Sequence, residues 1–409
     1  MSIVTTKRKI TVVLIDRANY GRLKPLMLEL RKDLSLELQI ICAGTMLLDK
    51  YGKAVNIVEK DGFDINDKIY MEVEGSTPST MAKSLGLGII EFSAAFQRSH
   101  PQFVLIIGDK YEALGAALAA IYQNICLIHV QGGEVTGSID ESARHAITKL
   151  AHYHFPATRL AQKFIIAMGE LPSTVFHVGC PSVDLINNVD DKLPLNFLKQ
   201  KGVGTQIDLS KPYNLVLFHP ITTEYKNSKY QMDQLLEAVK EMQIQTILIW
   251  PNIDAGSDGV SESIRIFREK NKNNCLHAYK NIEPEGFVPI LNHASCAIGN
   301  SSSFVREASL LGTPVVLVGS RQDGREWSHS VIRVNPVKHE IVAATKKHLK
   351  YGKYSASDTY GRPGVSSKMA QIIRTLKPYH QKKLSYINSN FNDKSQISYF
   401  DTLRQHVIS

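Results

Sequence analysis

The feature that most narrows what this chain can fold into is a series of strands built to be buried on both faces. Short apolar runs recur from end to end, at Ile10–Ile15, Leu36–Ala43, Phe103–Ile107, Ile125–Val130, Phe176–Val178, Leu215–Phe218, Thr246–Trp250, Ser295–Ile298 and Val315–Val318. They are rich in Val, Ile and Leu, and as a set they lack the alternation that a sheet with one wet face imposes. Between them lie segments with helical periodicity: Leu23–Asp33, Met81–Arg98, Glu112–Tyr122, Ser142–His152, Tyr230–Glu241 and Phe304–Leu311. Strands and helices alternating at this spacing build βαβ units, so the fold class is α/β with doubly wound parallel sheets.

A chain of 409 residues exceeds one ordinary core. Periodicity breaks between Asn187 and Pro212, through Asn187-Asn188-Val189-Asp190-Asp191-Lys192 and Lys201-Gly202-Val203-Gly204. We therefore expect Rossmann-like halves at 1–187 and 212–375, a linker at 188–211, and a tail at 376–409 that packs back on the first half. With 43% hydrophobic and 21% charged residues, the composition is that of a folded protein. The net charge of +9 is scattered and accompanies no nucleic-acid motif, which favours a small anionic ligand over a polynucleotide. Five dispersed cysteines without a C-x-x-C pair point to a reducing compartment. Neither a signal-peptide core nor a bilayer-length apolar stretch is visible, so a cytoplasmic location without membrane contact is expected.

Ligands of doubly wound sheets bind beyond the C-terminal ends of the strands. Those ends here carry Asp16-Arg17-Ala18-Asn19-Tyr20, Gly108-Asp109-Lys110, Gln131-Gly132-Gly133-Glu134, His219-Pro220, Pro251-Asn252 and Gly299-Asn300-Ser301-Ser302-Ser303. Gly299–Ser303 opens a helix, and its free amides and hydroxyls suit either an anion or a plain N-cap. Glu307, a turn later, is either a partner for ribose hydroxyls or a solvated carboxylate. Asp109 is either a general base with a pKa raised by low-dielectric walls or the cap of the next helix. Asp140 has the same two readings, and Arg17 and Arg321 are either phosphate clamps or surface ion pairs. At helical spacing His145, Lys149 and His152 share a face, while His152 and His154 lack a third metal ligand and read as structural. Walker, G-x-G-x-x-G and G-x-S-x-G patterns are missing, which removes the usual support for NTPase, dinucleotide and hydrolase-elbow readings.

Taken together, Arg17-Ala18-Asn19-Tyr20, Gly108-Asp109-Lys110, Gly132 through Asp140, Arg144–His154, His219-Pro220, Pro251-Asn252-Ile253-Asp254-Ala255-Gly256-Ser257, Gly299–Ser302 and Arg321 through Glu326 resemble the hydrolysing UDP-N-acetylglucosamine 2-epimerases. The likeness runs from about Lys9 to Pro378. It implies a glycosyltransferase-B architecture and a small-molecule UDP-sugar substrate. By position, Arg17, Lys110, Glu134, His145, His219, Asn252, Ile282, Ser301, Ser302, Glu307 and Arg321 would hold that substrate. Asp109, Asp140, Gln131, His219 and Arg17 would serve the chemistry. UDP is eliminated as the C2 proton is removed, and the glucal is hydrated with C2 inverted. The resemblance implies no metal or redox cofactor, and a homodimer or homotetramer.

The chain departs from this pattern at Asn19, where members usually carry Asp, and at Lys110, where they carry Arg. Gln131 stands where a catalytic glutamate is expected, and glutamine transfers no proton. A modified sugar such as UDP-diacetylbacillosamine is therefore an alternative substrate. A glycosyltransferase on the same scaffold and a binding protein without turnover remain the other readings.

Overall fold

The computed structural model describes residues 7–195, 202–271, 275–383 and 385. Two parallel sheets organise it. The first contains β1 (Arg8–Leu14), β2 (Leu36–Ala43), β3 (Asp67–Ile69), β4 (Phe103–Ile107), β5 (Cys126–Val130) and β6 (Tyr153–Phe155), in the order β3-β2-β1-β4-β5-β6. The second contains β7 (Val203–Gly204), β8 (Asn214–Leu217), β9 (Thr246–Ile249), β10 (Leu276–Tyr279), β11 (Cys296–Gly299), β12 (Val315–Val318) and β13 (Val331–Val334). Its order is β13-β12-β11-β8-β9-β10-β7, and only β7 runs antiparallel to its neighbour.

Burial on both faces explains the unbroken apolar runs. In β4, Phe103, Leu105 and Ile107 enter the core beneath helix Arg17–Lys32, while Val104 and Ile106 enter the opposite core with Phe92, Phe96, Ala113 and Ala117. In β8, Val216 faces Met232, Leu235 and Ile264, whereas Leu215 and Leu217 face Ile290 and Phe304. Four cores thus clothe two sheets, and the longer helices, such as Arg17–Lys32 and Ser228–Met242, bury an apolar stripe against one of them.

The sheets reverse their winding beside β1 in the first half and beside β8 in the second. Beyond the C-terminal ends of β1 and β4, and again of β8 and β11, a crevice opens that no connection crosses. The two crevices face each other. Among the described residues, no helix is long and apolar enough to cross a membrane.

Several elements differ from the sequence-based expectation. Phe176–Val178 forms no strand; an isolated bridge between His154 and Val175 is all that occurs there. Conversely, β3, β6, β7, β10 and β13 lie outside the apolar runs, because each is two to four residues long and interrupted by a polar residue or glycine. The helix expected over Phe304–Leu311 is split at Arg306 into Ser302–Val305 and Glu307–Leu311. Helix Asp140–Leu150 stops before His152, so His152 does not share a helical face with His145 and Lys149.

The chain also returns to the first half earlier than residue 376. Helix Val365–Thr375 buries Val365, Met369 and Ile373 in the core beneath helix Arg17–Lys32. Beyond it, Arg8 donates to the carbonyl of Leu376 (2.8 Å), Tyr153 donates to that of Lys377 (2.8 Å), and Lys382 reaches buried Glu170 (2.7 Å). If this helix is part of the first core, Met369→Ala should cost about 2–5 kcal/mol of stability. Urea unfolding followed by circular dichroism measures it, and a loss below about 1 kcal/mol would make the helix a surface attachment.

Candidate active site

The second half supplies a frame of backbone and hydroxyl groups. Gly299 ends β11 with φ 145°, and a Cβ there would lie 2.2 Å from the carbonyl oxygen of Leu217, so only glycine lets the chain turn at this point. The next residue, Asn300, accepts from the His219 amide (2.7 Å) and donates to the His219 carbonyl (2.8 Å), tying the end of β8 to the end of β11. Ser301 then caps helix Ser302–Val305 by accepting from the Ser303 amide at 3.3 Å. Ser301, Ser302 and Ser303 all line the cleft. Capping and lining are therefore compatible roles for Ser301.

His219 is buried, and burial holds its ring neutral, well below the usual histidine range, with nearby Arg321 acting in the same direction. Its Nδ1 accepts from the Asn252 amide at 3.2 Å, which leaves Nε2 as the proton-bearing nitrogen. Asn252, Ile282, Glu307 and Arg321 also line this wall.

The first half faces it with Arg17, Arg22, Asp109 and Lys110. Arg17 opens helix Arg17–Lys32, whose N-cap is Asp16, and donates to Asn281 of the other half. Lys110 is the backbone cap of helix Tyr111–Tyr122, and its ammonium reaches buried Asp254 across the cleft at 2.5 Å. Asp109 caps nothing. It pairs with Arg144 from its own half and lies 3.9 Å from Arg325 of the other.

A deeper chamber continues from this cleft, lined by Asp109, Gln131, Asp140, Arg144, Arg306 and Arg325 among others. Its two aspartates have their proton affinities pushed in opposite directions. For Asp109, burial favours the neutral acid, but Arg144 and Arg325 outweigh it and hold the carboxylate below its ordinary range. This corrects the expectation of a raised pKa, because the arginines that reverse it come from distant sequence. For Asp140, burial and the neighbouring charges of Asp109 and Asp254 push the carboxyl up to about 6, against the pull of Arg321 at 3.6 Å. Such a divergence separates a proton-transferring acid from a fixed charge.

Gln131 follows β5 with a left-handed φ of 64°, a costly conformation for any side-chain-bearing residue. Its amide nitrogen donates to the Cys180 sulfur (2.9 Å), and its carbonyl oxygen is buried with no hydrogen-bond partner among the described residues. Glu134 lines neither the cleft nor the chamber. Its carboxylate lies beneath them, 2.5 Å from Arg306 and 2.9 Å from Arg325. His145 lines neither space either; it is half-buried beside Glu141 at 3.5 Å. His154 pairs with Glu170 (3.1 Å) and the His152 ring bonds Leu127 and His380, so both are structural. Among the described residues, no group of three or more His, Cys, Asp and Glu side chains is placed to hold a metal.

Reasoning from sequence assigned no role to Arg22, Arg144, Arg306 or Arg325. The available signal was an arginine next to an apolar residue in a helix-patterned segment: Arg22 beside Leu23 and Arg306 after Val305 are both buried.

Two Rossmann-type halves facing across such a cleft define the glycosyltransferase-B architecture. Residues 28–374 match the family model described as UDP-N-acetylglucosamine 2-epimerase, and the chain belongs to that family. It is 33% identical over 382 residues to the UDP-N,N'-diacetylbacillosamine 2-epimerase (hydrolyzing) of Legionella pneumophila, covering 93% of this chain and 99% of that relative. It is 32% identical over 332 residues to the GDP/UDP-N,N'-diacetylbacillosamine 2-epimerase (hydrolyzing) of Campylobacter jejuni, covering 80% and 84%. A solved UDP-GlcNAc 2-epimerase of Methanocaldococcus jannaschii, in complex with UDP-GlcNAc and UDP, shares the fold with a TM-score of 0.74 at 17% identity, covering 90% of this chain and 99% of that one.

The Glu134 pairs make a testable stability element. Burial alone would raise this carboxyl, but Arg306 and Arg325 bring it from its ordinary 4.5 down to about 2. A depressed folded-state pKa stabilises fully above the ordinary value and is lost as pH falls toward the depressed one, here between about 4.5 and about 2. Glu134→Gln leaves two buried guanidiniums without their anion and should cost about 3–5 kcal/mol at neutral pH. It should also flatten the stability profile in that acid window. Urea titrations at several pH values test both, and a variant as stable as the wild type would remove Glu134 from the account.

Proposed function

We propose that the chain is a hydrolysing 2-epimerase that converts a UDP-N-acetylhexosamine to UDP and the free 2-epimeric sugar. The observation that carries this reading is the pair of aspartates whose proton affinities are pushed in opposite directions, set in a chamber continuous with the cleft. The diphosphate would lie on Ser301, Ser302, Arg17 and Arg321, where helix-end amides and guanidiniums suit an anion. Glu307 would accept from ribose hydroxyls, and Ile282 would pack on the base. The sugar would then enter the chamber beside Asp109, Gln131 and Asp140.

Asp140, with a carboxyl near 6, is matched to proton transfer at neutral pH and would remove the C2 proton as UDP leaves C1. Asp109 stays ionised and would stabilise positive charge developing at the anomeric carbon. Gln131 would hold the acetamido group through its unpartnered carbonyl oxygen. It carries no proton to return, so the proton that inverts C2 is drawn from solvent. Water adds at C1, and the free sugar leaves. The names of the two relatives favour a diacetamido sugar as substrate; UDP-N-acetylglucosamine is the simpler one to test. Lys110 and Asp254 would close the cleft over either. The subunit is expected to work as a homodimer or homotetramer in the cytoplasm.

The deciding experiment is proton NMR of the purified protein with each UDP-sugar in deuterated water. Free 2-epimer with deuterium at C2, accompanied by UDP, is the expected product; transfer to an acceptor or intact substrate would replace this reading. Asp140→Asn should lower kcat by roughly 10²–10⁴-fold with UDP affinity kept. For the wild type, kcat/KM should rise with pH through about 6, as Asp140 loses its proton, and then level. A profile flat across that region would exclude Asp140 as the base. Replacing Ser301 and Ser302 together by Ala should do the reverse, raising the Kd for UDP about 10-fold or more in calorimetry.

A further inference from the structure

Helix Asp140–Leu150 presents Asp140, Arg144 and Thr148 at successive four-residue steps, and all three are buried on one stripe. Asp140 and Arg144 reach the chamber; Thr148 does not line it. Thr148 instead touches His129, an otherwise unexplained buried histidine on β5. The His129 Nε2 lies 2.8 Å from the carbonyl oxygen of Gly108, and its Nδ1 lies 3.2 Å from the Thr148 hydroxyl.

These contacts define the ring's state. A carbonyl only accepts, so Nε2 carries the proton. Burial pushes the ring down to about 3, so it is neutral and Nδ1 is an acceptor. The Thr148 hydroxyl therefore donates to Nδ1, and Nε2–H donates to Gly108. Packing around the pair is full, since a Cβ on Gly132 would fall 2.7 Å from both the His129 Nδ1 and the Thr148 oxygen.

We propose that His129 and Thr148 are positioning residues for Asp109. One helix stripe grips the Gly108–Lys110 turn twice: Arg144 holds the Asp109 carboxylate, and Thr148, through His129, holds the backbone that precedes it. Asp109 and Asp140 are thereby referenced to the same helix, which fixes the separation of the two carboxyl groups. The Gly108 amide already donates to the Val130 carbonyl (3.0 Å), and the His129 contact fixes the carbonyl on the Asp109 side, so the residue that leads into Asp109 is held at both ends. Misplacement of a reacting group by about 1 Å costs on the order of 10²-fold in rate. This inference rests on the epimerase reading above, and its test separates the two.

Thr148→Val keeps the shape and removes the hydroxyl, while Thr148→Ser keeps the hydroxyl. With UDP-N-acetylglucosamine and its diacetamido analogue as substrates, Thr148→Val should lower kcat about 10–100-fold. The Kd for UDP should stay within about twofold, and Thr148→Ser should recover turnover to within about threefold of the wild type. A crystal structure of Thr148→Val should show residues 108–110 displaced with the helix unmoved. Turnover within twofold of the wild type, equal losses in both variants, or an undisplaced 108–110 turn would each overturn the proposal. Should the wild type turn over neither sugar, the epimerase reading fails, and the position of the turn in Thr148→Val still decides this inference.

Discussion

The arrangement depends on charges in each half whose counter-ions belong to the other. Glu134 faces Arg306 and Arg325, Lys110 faces Asp254, Asp140 faces Arg321, and Arg22 faces Glu307 at 3.6 Å. These side chains are largely withdrawn from water, so their mutual attraction is set against a large loss of hydration. Such contacts add little net affinity between the halves, but they penalise any closed arrangement that mismatches them. The same contacts set the chemistry. Arg325 helps keep Asp109 ionised, and Arg321 limits how far Asp140 rises, so both proton affinities belong to the closed form.

How much of this could be read from the chain follows from where each interaction is written. Buried parallel strands such as Phe103–Ile107 and Val315–Val318 announce themselves, because both faces need apolar side chains. Edge strands such as Asp67–Ile69 do not, since one neighbour and partial exposure relax that demand. The strand-end rule led to Asp109, Gln131, His219 and Ser301 because topology alone places them. It could not supply the direction of the Asp109 shift, which depends on Arg144 and Arg325, distant in sequence. His145 shows the opposite failure: its helix is correctly recognised, but its side chain turns toward Glu141, away from the chamber.

Gln131 makes the division of labour in the chamber unusual for a pair of proton transfers. Its strained backbone directs a neutral amide where a carboxylate would otherwise meet Asp109 and Asp140 at close quarters. A third buried anion would raise all three carboxyl groups against one another. The amide avoids that repulsion and leaves a buried acceptor that the proposed sugar would meet, with Cys180 fixing its other end.

The return of helix Val365–Thr375 to the first core means that the chain passes between the halves twice, once before β8 and once after helix Lys338–Tyr351. Two connections between the halves would act like the paired pins of a door. They resist sliding and twisting, and leave rotation about the line joining them as the soft motion. Opening would then part every cross-cleft charge pair along one arc, and reclosing would bring them back in the same register. The first half is not a contiguous stretch of chain, so a cut ahead of residue 365 would uncover part of the core around helix Arg17–Lys32 as well as remove one of the two connections.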